Sequence, residues 1–493
     1  MRFTVRCLFL VCLLPGMLPG IGRAVAAVMS GDAGIPLEVG SGKQLFIDET
    51  FFESSENVSL HLNPAVKTGE HTLVSDRPWE NATLNWFSIM EDDGKFRMWY
   101  ECYDVAGWPT TDDTSFCYAE SKDGIQWTKP SLGLFSYQGS TDNNILFRQI
   151  GPEGSRSRVH GVGVFKDPDA SPEARYKAVS QGLFEGYDPP YRIAGMYSPD
   201  GLRWTRVAKP ICDVFADSQY SGWRDHISGE YILFGRVSGR GRAIGRSTSA
   251  SFESFAPLER VLETDEHDPP DSDLYNPSAF RYPYADRVFL MFPSLYRHDT
   301  DTLDIHLAVS RDGIYWTRPD QGKPLVALGD TGAFDSGSLY MGQGFLRHGN
   351  ELWMYYSGSP LKHNEVDLDT LAKPENRRVF SRCVLRLDGF VSVEAGESEG
   401  QFITPPMRFK GARLVLNVKT KASGSVRVGL LDDKDNPIPG RGTEDCVPIT
   451  GDHVACTVSW QENNGLEYLE KTPVKLVVKM RNVSLYAFQF LPE

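Results

Sequence analysis

Ser121-Lys-Asp-Gly-Ile-Gln-Trp127, Ser198-Pro-Asp-Gly-Leu-Arg-Trp204 and Ser310-Arg-Asp-Gly-Ile-Tyr-Trp316 share the pattern S-x-D-G-x-x-W, and a degenerate copy starts at Ser247 and ends in Phe252 or Phe255. Asp-Gly supplies the positive φ of a tight turn, and the tryptophan packs that turn against the next strand. The motif is therefore structural. A short motif recurring in a strand-rich background is the signature of a propeller or a similar array.

Working outward, a strand rich in aromatic and β-branched residues recurs five times: Phe96-Arg-Met-Trp-Tyr-Glu101, Tyr176-Lys-Ala-Val-Ser-Gln181, Tyr231-Ile-Leu-Phe-Gly-Arg236, Val288-Phe-Leu-Met-Phe-Pro293 and Leu352-Trp-Met-Tyr-Tyr-Ser357. A further strand follows each one, and no amphipathic helix of about ten residues intervenes, which excludes an α/β barrel. The spacing predicts an all-β chain with a five-bladed β-propeller. After Leu387-Asp-Gly-Phe390 the texture becomes short alternating segments (Arg413 to Val418, Val426 to Leu431, His453 to Trp460, Val474 to Arg481), read as a C-terminal β-sandwich. The expected domains are residues 28–388 for the propeller and 389–493 for the sandwich.

Residues 1–27 carry Arg2 and Arg6, an apolar run from Cys7 to Leu14, and small residues ending at Ala26 and Ala27. That order predicts a cleaved secretory signal and a secreted or periplasmic protein. No later stretch is long and apolar enough to span a membrane. The formal charge is −14. An acidic surface disfavours nucleic acid and anionic membranes, yet leaves room for a local basic pocket that takes a charged glycan. Beyond the signal, Cys102 with Cys117 and Cys446 with Cys456 are candidate disulfides, and Cys212 and Cys383 read as buried thiols.

Polar residues at the starts of the innermost strands of a propeller converge on one funnel. Counting back from the five aromatic strands yields Glu80, His160, Asp217, Asp273 and Asp335 at similar offsets. The four carboxylates are the catalytic candidates, because glycoside hydrolysis needs one acid to protonate the leaving oxygen and a second as base or nucleophile. Singly, an aspartate before a strand is as well explained as a turn former. Trp86, Tyr275, Asn276, Tyr296, His298, Tyr340 and His363, with His160, are the candidate sugar-binding groups, since sugar rings offer apolar faces edged with hydroxyls. Asp273 stands out because Tyr275 and Asn276 follow it closely.

The run from Asp265 to Asp273 is rich in oxygen donors of the kind that hold calcium, but it lacks the EF-hand spacing. No other cofactor is expected. Nucleophile-elbow, zinc-helix, Walker and Rossmann patterns are absent from any strand-to-helix context.

Leu45-Phe-Ile-Asp-Glu49, Cys117-Tyr-Ala-Glu-Ser-Lys-Asp-Gly-Ile-Gln-Trp127, Asp142-Asn-Asn-Ile145, Leu290-Met-Phe-Pro-Ser294 and Leu385-Arg-Leu-Asp-Gly-Phe390 resemble exported planctomycete-type proteins similar to the glycoside hydrolase family 32 N-terminal domain. The resemblance runs from about Leu45 to Phe490. It implies the five-bladed superfamily of families 32 and 43, whose members cleave glycosides with three acids at the funnel. Two of the superfamily's motifs are missing: there is no Asn-Asp-Pro in the first blade and no Glu-Cys in the third, so that trio does not transfer residue by residue. The leading expectation is an exo-acting glycoside hydrolase. A non-catalytic carbohydrate-binding propeller is the alternative, followed by a polysaccharide lyase using Tyr275, His298 and Arg297.

Overall fold

A computed structural model describes residues 35–492 apart from 106–113, 149–158, 218 and 462–464; the expected signal at 1–27 lies outside the described residues. The chain is all-β. Among the described residues its only α-helical segment is the turn Leu368–Leu371, and no helix is long and apolar enough to cross a membrane.

Among the described residues, five runs of antiparallel strands follow one another along the chain, the first and fifth being joined through Gln343 and Ser88 into one connected 12-stranded sheet that also takes up Ser272–Leu274, Ser294–Arg297 and Thr302–Ile305. The second and third strands of the first are Lys95–Tyr103 and Ser115–Ser121, and the other sheets place Tyr176–Leu183, Tyr231–Gly239, Phe289–Met291 and Glu351–Ser359 second. The five aromatic segments found in the sequence thus occupy the same rank in each sheet. The innermost strands are Thr83–Asp92, His160–Lys166, Ser221–Arg224, Ala279–Arg281 and Ser338–His348.

Those inner strands are linked in a circle. Ser88 Oγ accepts from the Val164 amide (3.0 Å), Gly161 O from the Tyr220 amide (2.9 Å), and Ser221 Oγ from the Ala279 amide (2.9 Å). Ser278 Oγ donates to Gly342 O (2.9 Å), and Gln343 pairs with Ser88 to close the round. This gives a propeller-like arrangement whose axis is packed by backbone. Two glycines make the approach feasible, since a Cβ at Gly342 would fall 2.2 Å from the Phe87 ring and one at Gly163 would fall 2.1 Å from Tyr220 O. A buried amide cluster completes the plug: Asn276 donates to Gln219 Oε1 (2.9 Å), and Gln343 donates to Tyr220 O.

The three repeated turns are built alike. In each, the serine hydroxyl accepts from the glycine amide (2.9, 2.8 and 2.8 Å), and the aspartate takes two more backbone N–H groups. The indole N–H of Trp127, Trp204 or Trp316 returns to the glycine carbonyl at 3.1, 3.1 and 3.2 Å. The glycines have φ of +73°, +75° and +74°. The turns also join neighbouring sheets, because Trp99 Nε1 donates to Gly201 O and Tyr355 Oη to Gly124 O.

Strand pairing divides the chain differently from the expected boundary at 388. Residues 37–62, expected in the propeller, supply strands Leu37–Gly40, Gln44–Leu45, Ser54–Glu56 and Ser59–Leu62 to the C-terminal sheet. Val66–Lys67 then closes the fifth propeller sheet against Val384 and Cys383. In the C-terminal part, the segments read as separate strands are continuous: Arg413–Asp432 pairs along its length with Val474–Leu491, bent at bulges near Val418 and Ser425. All ten strands form one connected sheet folded over a core that includes Phe46, Trp460 and Phe488. Among the described residues the cysteines are unbridged; Cys102 and Cys117 lie on adjacent strands with sulfurs 3.6 Å apart.

Candidate active site

The starts of the inner strands, with the hairpin joining Tyr231–Gly239 to Gly241–Ser249 and the loops after residues 297 and 359, bring together a compact set of polar and aromatic groups. Trp86, Tyr275, Tyr296 and Tyr340 form one buried cluster with Leu303. Trp86 lies 4.6 Å from Tyr340 and 6.4 Å from Tyr275 between ring centroids. Its indole N–H is buried and has no hydrogen-bond partner among the described residues. A buried donor left unmatched beside aromatic faces is a natural receiver for a ligand oxygen.

Two of the expected carboxylates border this cluster. Asp273, 3% exposed, accepts from Arg242 Nη1 (2.7 Å), the Arg242 amide (3.0 Å) and His298 Nε2 (3.0 Å). Burial works against its ionisation, but Arg242 and His298 outweigh burial and hold the carboxyl below the usual aspartate range. Asp217 is bonded to Arg236, with His160 Nε2 3.8 Å away, and keeps 40% of its side-chain surface exposed. Each carboxylate therefore has one arginine and one histidine beside it. The two arginines lie on paired strands of one hairpin, where Arg236 faces Ile244 and Arg242 faces Ser238.

That hairpin divides two open depressions. One, of about 610 Å³, is lined by Asp273, His298, Arg242 and the acidic loop before them; the other, of about 460 Å³, by Asp217, Arg236 and Arg242. Arg236 also lies over the Tyr275 ring at 4.3 Å and Arg242 at 5.1 Å.

The histidines take distinct places. His160 Nδ1 meets Glu101 Oε1 at 2.8 Å and Tyr103 Oη at 3.0 Å, so its ring is oriented by a fully buried carboxylate. Burial opposes ionisation of Glu101, yet His160 and the Gly161 amide bring its pKa below the ordinary value. His363 meets Tyr340 Oη at 2.9 Å and packs on Tyr275 and Tyr296. Burial, then the nearby Arg242, lowers His363 to about 4.

Two expected catalytic carboxylates are elsewhere. Glu80 is enclosed by Tyr100 Oη (2.6 Å), Lys129 Nζ (2.7 Å) and the Asp76 and Arg77 amides, fastening the segment before the first sheet. Asp335 accepts from Lys67 (2.8 Å) and Tyr356 (2.9 Å), tying the closing strand to the fifth sheet. Asn276 belongs to the amide plug rather than to the aromatic cluster. Arg297, offered for lyase chemistry, is engaged by Asp304 at 2.9 Å. In the acidic loop, Asp268 is paired with Arg318; Asp265, Glu266 and His267 are exposed, with donor atoms within 4.8 Å of one another.

The sequence reading missed Glu101, Arg236, Arg242 and Arg378. A signal for two of them was present: Glu101 and Arg236 both end a recurring aromatic strand, at the same position in the repeat.

No family model matches the chain, and no curated protein matches it. Solved structures similar to it include a putative glycoside hydrolase from Bacteroides ovatus (16% identity, 65% of this chain and 96% of that one, TM-score 0.43). Another is an N-acetylgalactosamine deacetylase from F. plautii in complex with blood group B trisaccharide (17%, 66% and 95%, 0.43). A third is a thermostable family-43 glycoside hydrolase (12%, 67% and 96%, 0.43). At such identities, with TM-scores below 0.5, function has to be read from the site itself.

Proposed function

We propose that this chain is an exported glycoside hydrolase, akin to the five-bladed family 32 and 43 superfamily, with Asp217 and Asp273 as its catalytic carboxylate pair. The observation that carries this reading is the placement of the two acids on either side of one arginine hairpin, next to a buried aromatic cluster with an unmatched indole N–H. Asp273, kept ionised by Arg242 and His298, suits the base, nucleophile or stabilising role. Asp217, paired with Arg236 and the more exposed of the two, is the second carboxylate, and His160, oriented by Glu101, stands 3.8 Å from it. The backbone plug below the aromatic cluster favours a chain end over a chain interior, hence exo-action. The reaction as proposed uses side chains alone.

The test is a screen of purified protein against bacterial and algal glycans, following release of reducing ends, with Asp217→Asn and Asp273→Asn alongside. Each variant is expected to lose about 10²- to 10⁴-fold in turnover while keeping its fold. Glycan binding without any release would favour a binding module. Ultraviolet-absorbing unsaturated products would favour a lyase, a reading supported by the arginines, tyrosines and histidines gathered in this cluster.

A further inference from the structure

Three guanidinium groups converge on one small set of rings. Arg236 and Arg242 lie 4.3 and 5.1 Å from the Tyr275 ring, and Arg378 lies 4.9 Å from the Tyr340 ring, the two rings being 5.6 Å apart. Two of the three are matched by carboxylates, Arg236 by Asp217 and Arg242 by Asp273. Arg378 is not. Its hydrogen bonds go to Ser338 O (3.3 Å) and Ser338 Oγ (2.9 Å), both neutral, and no carboxylate forms an ion pair with it among the described residues.

The nearby Asp301 does not supply the missing charge. Its carboxylate is taken up by Tyr296 Oη (2.7 Å), the Asn364 side chain (2.8 Å) and the Asn364 amide (3.0 Å). A half-buried guanidinium without a counter-ion is costly, and the cost is tolerated where a ligand brings the counter-charge. Guanidinium is also the side chain best shaped for a planar or oxygen-rich anion, because it presents parallel N–H donors. Ser338 begins the innermost strand of the fifth sheet, so it anchors Arg378 at the same end of the ring as Trp86 and Tyr275.

We infer that Arg378 seats an anionic substituent of the sugar, a carboxylate or a sulfate ester, so that the glycan recognised here is acidic. The buried cluster of Trp86, Tyr275 and Tyr340 then backs the seat, and Arg378 carries the recognition. This deepens the carbohydrate reading above and rests on it. A local guanidinium without a counter-ion is compatible with a chain whose overall formal charge is −14.

Binding of matched pairs tests it, by saturation-transfer NMR on the intact protein: methyl glucuronide against methyl glucoside, methyl galacturonide against methyl galactoside, and galactose 6-sulfate against galactose. The acidic member of at least one pair is expected to bind about tenfold or more tightly than its neutral partner. That preference should weaken as salt rises. Which pair shows it separates carboxylate from sulfate. Arg378→Gln should abolish the preference while leaving neutral-sugar affinity within about twofold, and Arg378→Lys should restore part of it. Neutral sugars binding as well as acidic ones would overturn this inference and leave the carbohydrate reading standing. A preference that survives Arg378→Gln would remove Arg378 from the role. Failure of every sugar to bind would sink both readings together.

Discussion

Glu80 and Asp217 stand at comparable offsets before an inner strand, yet the first is enclosed by Tyr100, Lys129 and two amides while the second keeps 40% of its side-chain surface. Chain position was legible in the sequence; side-chain direction was not, because Tyr100 and Lys129 at Glu80, and Lys67 and Tyr356 at Asp335, lie far from those carboxylates along the chain. Glu80→Gln should therefore act on stability, lowering it by about 1–3 kcal/mol in urea titrations, with turnover unchanged; a collapse of turnover in a well-folded variant would return Glu80 to the chemistry. His363 offers a pH test. Its folded-state pKa of about 4 lies below the ordinary value near ~6.5, so the unfolded chain takes up the proton first as pH falls. The stability it contributes is intact above about pH 6.5 and is lost as pH drops toward about 4, on the order of 2–3 kcal/mol. Denaturation midpoints measured across that window should fall less steeply for His363→Gln than for the parent protein. Equal slopes would mean that His363 titrates normally.

The repeated turn was the most legible element, since its serine, aspartate, glycine and tryptophan satisfy one another within seven residues and owe little to the rest of the chain. Its glycine nevertheless serves two purposes, which two positions separate. Gly94, in the hairpin turn between Thr83–Asp92 and Lys95–Tyr103 and outside the repeat, has the same φ of +75° as Gly201, but nothing lies within 4 Å of a Cβ at Gly94, whereas at Gly201 it would meet the Trp99 ring at 2.8 Å and Arg97 at 2.9 Å. Gly94→Ala should cost only the backbone term, about 1–2 kcal/mol. Gly201→Ala should add an overpacking penalty of about 1–3 kcal/mol, because the displaced Trp99 donates to the very carbonyl of that turn. Similar losses for the two variants in thermal or chemical denaturation would show that the turn, and not the contact between sheets, sets the requirement for glycine. The acidic loop from Asp265 to Asp273 was less legible, because Arg318, which engages Asp268, comes from far along the chain.

Across the whole molecule, the sequence texture suggested a break near residue 388, but texture records local strand pattern and says nothing about which distant strand completes a sheet. The N-terminal strands between Leu37 and Leu62 pair with the C-terminal sheet, and Val66–Lys67, four residues later, closes the fifth propeller sheet. A core containing Leu45, Ile47, Tyr282, Leu290, Phe390 and Ala487 draws on both parts at once. Beside it, the fully buried Asp388 accepts from Tyr282 Oη (2.8 Å) and Lys43 Nζ (2.7 Å), with Asn417 at 3.3 Å. Separating the two parts would leave that carboxylate short of partners and expose the shared apolar surface, which costs more than either part alone can offset. The intact protein should therefore unfold in one cooperative calorimetric transition despite its length, and Asp388→Ala should lower that transition without splitting it. A chain ending at residue 388 should be insoluble, because the strands at 37–62 lose their partners. Two resolved transitions in the intact protein, or a soluble and folded 28–388 fragment, would show instead that the division expected from sequence texture is the one the molecule uses.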